Sequence, residues 1–183
     1  DPEAAEARIL KTEKLVHEVQ QELTSLIREL RPVALDGKGL VAALREMVPQ
    51  WSQQTEIVAN LRVEEIQALP LTVEEALYRV AQEALSNAAR HSKATLVQIT
   101  LTITAERAQL TINDNGQGFD LAHQKSLGVG LHSMRERMKA LGGDITLEST
   151  PGKGTLIIAY CNRLGVDKSE TAEFSTRNEQ APV

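Results

Sequence analysis

The chain has 183 residues, of which 42% are hydrophobic, which is enough for one hydrophobic core with an appended helix. Its formal net charge of −5 argues against a broad nucleic-acid-binding surface, and its single cysteine, Cys161, excludes a disulfide framework and a cysteine zinc site. No apolar run reaches the roughly 20 residues that cross a bilayer, and no signal peptide opens the chain. We therefore expect a cytoplasmic module, and the anchor of a membrane-bound parent would lie upstream of Asp1.

The first predicted element is a long helix that ends at Pro32. Its apolar seam, with Thr12 filling one gap, advances in alternating three- and four-residue steps along Ile9, Val16, Val19, Leu23, Leu26 and Leu30. Proline disrupts a helix interior, so Pro32 marks the end of this helix. His17 falls just beside the seam, and we interpret it as a solvated helix histidine.

The apolar patterns in the middle of the chain predict helices and strands in an irregular order. We expect a helix at 39–50, strands at 55–63, 94–104 and 108–114, a longer helix at 71–91, and a final hairpin of 144–149 and 156–160. Because the regular spacing of βαβ units is missing, this order favours an α/β (α+β) two-layer sandwich in which helices cover one face of a mixed sheet. Trp51 and Tyr78 fall within apolar patterns, which predicts that both are packing residues.

The longer helix carries the first polar cluster. Its apolar residues recur at helical spacing and give one buried stripe: Leu77, Val80, Ala81, Ala84, Leu85 and Ala88. Thr72 and Glu75 resemble a capping box at its start. Glu83, Asn87 and His91 follow at i, i+4 and i+8 along the edge of the stripe. An amide oxygen and a carboxylate there suit Mg²⁺ and its waters, but such a triplet is also typical of a solvated polar face.

A predicted strand of alternating apolar residues ends at the string Asp114–Gly118. A buried carboxylate at this strand edge can accept a hydrogen bond from an adenine amine. Gly116 and Gly118 allow the following loop to approach a ligand closely or to take positive φ. An ordinary turn after a strand accounts for the same string when it is considered alone.

Two further glycine strings follow. Gly128–Leu131 precedes an amphipathic segment, and a glycine loop that opens a helix can bind phosphate through free N–H groups and the helix dipole. Arg135 and Arg137 lie one to two turns further on, and Gly142-Gly143 fits a helix C-terminal cap. Pro151–Thr155 separates two strand-like runs and, by itself, indicates a hairpin turn.

In this order the strings resemble the nucleotide-binding boxes of the sensor histidine kinase catalytic domain, whose fold is the Bergerat ATP-binding sandwich. Gln82–His91 resembles the N box, Asp114–Gly118 the first glycine box, Gly128–Leu131 the second, and Gly152–Thr155 the Gly-Thr turn. The segment Phe119–Leu127 lacks a phenylalanine-rich box and matches the short ATP lid of the NarX and DesK-like branch.

The resemblance implies a role for each matching residue. The implied nucleotide-binding positions are Asn87, Arg90, His91, Asp114, Gly116, Gly118, Gly128, Gly130, Leu131 and Thr155. Asp114 would bind the adenine amine, and the Thr155 hydroxyl would support the adenine end. Asn87 would hold Mg²⁺, and Glu83 would act through a metal-bound water, so these two are the implied catalytic residues. The implied ligands are ATP and Mg²⁺.

The residues before the pocket are similar to the joint that follows the second dimerisation helix of the same branch. The matching positions are Arg28–Pro32, Leu35, Gly39-Leu40 and Ala43-Leu44. In this family the acceptor histidine lies on the first dimerisation helix with an acidic residue directly after it. Although Glu18 follows His17, the joint places His17 on the second helix, so we expect the acceptor outside this chain.

The resemblance divides the chain into three parts. Residues 1–34 are expected to form the second dimerisation helix, 35–163 the catalytic ATP-binding domain, and 164–183 a polar, disordered tail. The implied reaction is transfer of the ATP γ-phosphoryl group to a histidine within a homodimer, for relay to the aspartate receiver of a response regulator. No nucleic-acid partner is expected, and membrane contact is expected only through upstream segments.

Two other function classes stay open. An anti-sigma-type protein-serine kinase shares the fold and the pocket, but the N-terminal apolar repeat and the joint argue against it. A non-catalytic module, in which nucleotide only regulates dimerisation, is disfavoured by the intact boxes.

Overall fold

The computed structural model describes residues 35, 37–65, 67–121 and 128–165 of the chain. The predicted N-terminal helix with His17, most of the predicted lid and most of the predicted tail lie outside these residues, so the boundaries assigned to them stay predictions. Among the described residues, no helix combines the length and the apolar character needed to cross a membrane.

The described residues form three α-helices and one five-stranded sheet. In chain order the elements are α1 (Gly39–Thr55), β1 (Val58–Glu64), α2 (Leu71–Asn87), β2 (Leu96–Ile103), β3 (Arg107–Asp114), α3 (Val129–Lys139), β4 (Asp144–Ser149) and β5 (Thr155–Asn162). The order in the sheet is β1-β2-β3-β5-β4. β1 pairs parallel with β2, and the other pairs are antiparallel. The predicted element order is therefore confirmed, although α1 continues past Pro49 to Thr55.

The sheet buries one face beneath the helices. Along β2, Val97, Ile99 and Leu101 are buried, whereas the residues between them are exposed or partly exposed. α1 packs on β1, α2 on β3 and β5, and α3 on β4 and β5. Burying an aliphatic side chain of this size contributes about 1.5–3 kcal/mol, so the alternation fixes which face carries the helices. The predicted two-layer arrangement is confirmed.

Helix α2 lies at the centre of the core because its apolar stripe is buried along its whole length. Every residue of the predicted stripe is buried: Leu77, Val80, Ala81, Ala84, Leu85 and Ala88. Tyr78 is buried as well, and Trp51 packs against the same core, which confirms both as packing residues. The Cys161 thiol is also enclosed, and its burial raises its pKa to about 11. A thiol of that pKa stays protonated at neutral pH and is a poor nucleophile.

The capping box predicted at Thr72 and Glu75 is wrong. α2 begins at Leu71, after Pro70, and no side chain caps it. Instead, the first turn of α2 caps another helix, because a Glu74 carboxylate oxygen accepts a hydrogen bond of 3.1 Å from the backbone N–H of Leu40 in α1. A carboxylate also suits the positive end of the α1 dipole. This contact joins α1 to α2, which carries the polar cluster.

Candidate functional site

A cavity of about 450 Å³ lies between the end of α2, the end of β3 and the start of α3. It falls in the usual range of small-molecule sites, about 300–1,000 Å³. Eight of the predicted site residues line it: Asn87, His91, Asp114, Gly118, Gly128, Gly130, Leu131 and Thr155. Glu83, Arg90 and Gly116 are not part of its lining. The sequence strings therefore converge on one space, with three of the predicted residues behind or beside it.

Asp114 ends β3 and is only 8% exposed. Its Oδ1 atom accepts a hydrogen bond of 2.8 Å from the backbone N–H of Gly116. Burial raises the pKa of this carboxyl group above its ordinary value, and hydrogen bonds from the backbone N–H groups of Gly116 and Thr155 partly oppose that rise. A carboxylate offers about four lone-pair sites, so capacity remains for a donor in the cavity.

Two glycines allow the backbone to close around Asp114. Gly154 has φ of +79°, and a Cβ added there would overlap the backbone carbonyl oxygen of Asp114. Gly118 has φ of +58°, and a Cβ added there would overlap the carbonyl oxygen of Thr150. Any larger residue would force the hairpin between β4 and β5 away from the end of β3. The string predicted as a hairpin turn is therefore also part of the wall behind Asp114.

The end of α2 changes its helical form next to the cavity. After Asn87 the chain makes a π-helical turn, Ala88–Ser92, and Lys93 then takes a left-handed conformation with φ of 53°. The Ser92 hydroxyl donates to the carbonyl oxygen of Ala88 at 2.6 Å, which closes the turn. Turns of this kind often occur at functional sites. Asn87 and His91 line the cavity on either side of the change in helical form.

The predicted alignment of Glu83 with Asn87 and His91 holds only in part. The Glu83 carboxylate lies against Gly130 at the start of α3, in the space that a Gly130 Cβ would occupy. Arg90 is exposed on the π-helical turn. Glu83 thus joins the helix that carries Asn87 to the opposite wall of the cavity.

Arg135, which follows the glycine string Gly128–Leu131 in α3, contacts the start of β4. Its Nε atom is 3.2 Å from Oδ1 of Asp144, and one of its terminal nitrogens donates to the carbonyl oxygen of Ile145 at 3.1 Å. These contacts direct the guanidinium group to the start of β4. Arg135 and Arg137 are both absent from the cavity lining. At the other end of α3, the predicted cap is confirmed, because Gly142 has φ of +70° and Gly143 donates to the carbonyl oxygen of Met138 at 2.9 Å.

Sequence reasoning gave no role to Gln117, which connects two parts of the site. Its side-chain amide donates to the carbonyl oxygen of His91 at 2.7 Å. Its backbone N–H donates to the carbonyl oxygen of Ser92 at 2.6 Å. Its own carbonyl oxygen accepts from the N–H of Gly152 at 2.6 Å. Gln117 therefore ties the π-helical turn to the hairpin between β4 and β5. Only its position within a glycine string marks it in the sequence.

Ser149 was also missed, and it forms a small hydroxyl cluster with Thr155 beside Asp114. The Ser149 Oγ atom accepts from the N–H of Phe119 at 3.0 Å and donates to the carbonyl oxygen of Gly154 at 3.0 Å. It is also 3.0 Å from the Thr155 hydroxyl oxygen. Thr155 faces the cavity from the strand next to Asp114, with which it pairs in the sheet.

Most of the remaining lining is apolar. It is formed by Ala84, Ala88, Ile112, Phe119, Leu131, Leu147 and Ile157. A cavity of this size that combines an apolar lining with a buried carboxylate and an amide can hold a nucleotide. Mg²⁺ also fits, in the manner usual for nucleotide sites, where one or two protein oxygens share the ion with phosphates. Among the described residues there is no cluster of three or more His, Cys, Asp or Glu side chains that could hold a metal ion alone.

Comparison with known proteins supports this interpretation. Residues 72–163 match the family described as histidine kinase-, DNA gyrase B- and HSP90-like ATPase. The sensor histidine kinase LiaS of Bacillus subtilis is 39% identical over 82% of this chain and 41% of its own length. The sensor protein VraS of Staphylococcus saprophyticus is 35% identical over 79% of this chain and 42% of its own length. The chain thus spans about two fifths of the length of these relatives.

Solved structures with the same fold include two histidine kinases. The histidine kinase domain of the Erythrobacter litoralis EL346 blue-light activated histidine kinase has a TM-score of 0.60 and 18% identity, covering 68% of this chain and 61% of that one. AdeS of Acinetobacter baumannii has a TM-score of 0.55 and 19% identity, covering 68% and 63%. At this identity the similarity concerns the fold alone, and it confirms the fold expected from the sequence.

Proposed function

This chain belongs to the histidine kinase-, DNA gyrase B- and HSP90-like ATPase family, and we propose that it is the ATP-binding catalytic region of a sensor histidine kinase. The observation that supports this most strongly is that Asp114 and Asn87, from a strand and a helix, line one cavity. A buried acceptor and an amide in the same space are the two groups that adenine and a phosphate-bound metal ion require.

The proposed roles follow from position. The Asp114 carboxylate accepts from the adenine amine, and the apolar walls enclose the ring. Gly128, Gly130 and Leu131 at the start of α3 face the phosphates, where backbone N–H groups and the helix dipole favour an anion. His91 lines the same space, and exposed Arg90 lies beside it on the π-helical turn, so we assign both to ribose or phosphate.

The proposed reaction is transfer of the γ-phosphoryl group to a histidine nitrogen on a dimerisation helix. Catalysis of this type depends mainly on positioning and on neutralising charge. Asn87 would hold Mg²⁺, which supplies charge neutralisation when bound. Glu83 would act through a metal-bound water, since its carboxylate lies beside the lining of the cavity instead of within it.

The partners belong to the same proposal. We infer a homodimer formed through the dimerisation helices and a response regulator whose aspartate accepts the phosphoryl group. The similarity to sensor histidine kinases such as LiaS supports this. So does the similarity to DegS of Brevibacillus brevis, a signal transduction histidine-protein kinase/phosphatase that is 34% identical over 79% of this chain. We also propose a cytoplasmic location and assignment to the NarX and DesK-like branch.

The proposal is tested by incubating the chain with γ-radiolabelled ATP and a separately supplied first dimerisation helix. We expect a label on that helix that is lost in acid, as phosphohistidine is, and a weaker label with the Asp114→Asn variant at an ATP concentration below saturation. An acid-stable label would favour the serine kinase alternative. ATP binding without any transfer to the helix would favour the non-catalytic module.

A further inference from the structure

We propose that Gln117 is a positioning residue for the ATP site, because its side-chain amide caps the π-helical turn Ala88–Ser92 and thereby holds His91 at the cavity. The inference rests on the proposed function, in which His91 contacts the ribose or the phosphates of ATP. It adds a residue whose side chain acts on the nucleotide through another residue.

The π-helical turn needs support because it ends the helix in a strained conformation. The last carbonyl groups of a helix have no intrahelical partner, and they require donors from elsewhere. The turn is followed by Lys93, whose φ of 53° is a left-handed conformation that strains a non-glycine residue. Such a conformation persists only where the surrounding contacts hold it.

Ser92 and Gln117 both supply such contacts. Ser92 acts from within the turn, where its hydroxyl donates to the carbonyl oxygen of Ala88 at 2.6 Å and accepts from the N–H of Ala94 at 3.0 Å. Gln117 acts from a different part of the chain. Its side-chain amide caps the carbonyl of His91 and its backbone N–H caps the carbonyl of Ser92. One residue therefore caps the final two carbonyls of the turn.

The backbone of Gln117 is itself fixed. Its carbonyl oxygen accepts from the N–H of Gly152 at 2.6 Å, which ties it to the hairpin between β4 and β5. The side chain reaches from this fixed backbone to His91, which lines the cavity. Removing only the side-chain donor should keep both backbone contacts and release the carbonyl of His91. The side chain of Gln117 can therefore be tested separately from the hairpin that lies behind Asp114.

The test is calorimetric titration of the chain with ATP. Gln117→Met keeps the length of the side chain and removes the donor, and we expect it to weaken ATP binding by about threefold to tenfold, the size of one hydrogen bond. His91→Ala should weaken ATP binding by at least as much. Adding Gln117→Met to His91→Ala should have no further effect, because Gln117 acts through His91.

Ser52→Ala provides a matched control at the end of α1. This helix is also followed by a left-handed residue, Glu56 with φ of 60°, and the Ser52 hydroxyl donates to the carbonyl oxygen of Ile57 at 2.6 Å. Neither Ser52 nor Ile57 is part of the cavity lining. Ser52→Ala therefore removes a similar hydrogen bond next to a helix end and should leave the ATP affinity unchanged.

Proton NMR of the histidine rings gives a readout that a change in stability alone would not move. The chain has four histidines, and the ring signal that is missing from His91→Ala belongs to His91. At saturating ATP this signal should shift in wild type and should shift less in Gln117→Met. An equal shift in the two proteins would overturn the inference.

The titrations can overturn it in three further ways. These are equal ATP affinity in Gln117→Met and wild type, unchanged affinity in His91→Ala, and additive losses in the double variant, which would show that Gln117 acts independently of His91. If Gln117→Met fails to fold, Gln117→Asn, which shortens the amide side chain by one methylene group, takes its place in the same comparison. A wild-type chain that binds ATP supports the proposed function even when the inference fails, whereas one that does not bind ATP overturns both.

Discussion

The Glu83 carboxylate occupies the space that a Cβ on Gly130 would need. Glu83 belongs to α2 and Gly130 to the first turn of α3, so this contact joins the two helices on either side of the cavity. Only glycine permits it without displacing the carboxylate. The glycine that resembles a phosphate-binding residue thus has a second role, which is to leave room for an acidic side chain.

Gly130→Ala should therefore be energetically coupled to Glu83→Ala. Alanine favours a helix over glycine by about 1 kcal/mol, so Gly130→Ala should stabilise the Glu83→Ala background by up to that amount. In the wild-type background the displaced carboxylate should offset the gain, which gives a coupling free energy of about 0.5 kcal/mol or more. Denaturant unfolding of the two single variants and the double variant measures this coupling.

Gly128 provides the matched control, because a Cβ added there meets nothing within 4 Å. Gly128→Ala should show no coupling to Glu83→Ala. If Gly130→Ala and Gly128→Ala respond in the same way to the loss of Glu83, the contact between Glu83 and Gly130 has no energetic weight.

Asp114→Asn should weaken ATP binding by at least about tenfold, or roughly 1.4 kcal/mol. The amide can turn its N–H₂ group toward the adenine amine, which replaces an acceptor by a donor. Isothermal titration of wild type and variant measures the change. Equal affinities would show that Asp114 does not bind the base.

The raised pKa of Asp114 also predicts that the folding stability of the chain depends on pH. Burial raises the pKa of Asp114 above its ordinary value of 3.8, so the folded chain holds this proton more tightly than the unfolded chain does. The resulting stability is fully present below pH 3.8 and is lost as pH rises through the folded-state pKa. Relative to Asp114→Asn, wild type should therefore lose free energy of unfolding across this window. If the free energy of unfolding of wild type and of Asp114→Asn changed with pH in parallel, the raised pKa of Asp114 would be contradicted.

Most of the fold could be predicted because local patterns and tertiary packing agree. The stripe on α2 recurs at helical spacing and is buried as expected, and β2 alternates at a period of two with one face buried. Taken singly, the short strings of glycine, asparagine and aspartate indicated only turns or a polar helix face, and their order along the chain gave the resemblance that implied the site. Asp114 and Thr155 were named through that resemblance, and they pair in the structure.

The residues that were missed depend on partners distant in sequence. Glu74 caps α1 across 34 positions, and Gln117 holds the carbonyl of His91 across 26. Neither partner can be identified from a local pattern, because a glutamate or a glutamine on a surface is the usual case. The contact between Arg135 and Asp144 was missed for the same reason, since the position of Arg135 after a glycine string does not indicate a partner on the next strand.

Asn87→Ala should abolish the enhancement of ATP binding by Mg²⁺. Asn87 supplies the amide oxygen proposed to hold the ion, and an ion shared with phosphates depends on each protein oxygen it keeps. Titration of ATP with and without Mg²⁺ measures the enhancement. Asn60→Ala removes an exposed amide from β1, away from the cavity, and should leave the enhancement intact. Equal ATP affinity with and without Mg²⁺ in the wild-type chain would exclude the proposed role.

Gly154→Ala and Gly152→Ala form a matched pair, because both glycines have φ of +79°. A left-handed conformation costs a non-glycine residue about 1–2 kcal/mol, so both variants should lose that much stability. Only at Gly154 would the new Cβ also overlap the carbonyl oxygen of Asp114, whereas at Gly152 it meets nothing within 4 Å. Gly154→Ala should therefore lose more stability than Gly152→Ala.

The pair also separates damage to the turn from damage to the site. Because Gly154 lies against the backbone of Asp114, Gly154→Ala should displace the carboxylate and weaken ATP binding by about tenfold, the loss expected for Asp114→Asn. Gly152→Ala strains the same hairpin without touching Asp114, so its ATP affinity should stay near the wild-type value. Titration of both variants under conditions where each is fully folded measures the difference. If both weaken ATP binding equally, the hairpin contributes through its general stability and its contact with Asp114 has no special importance.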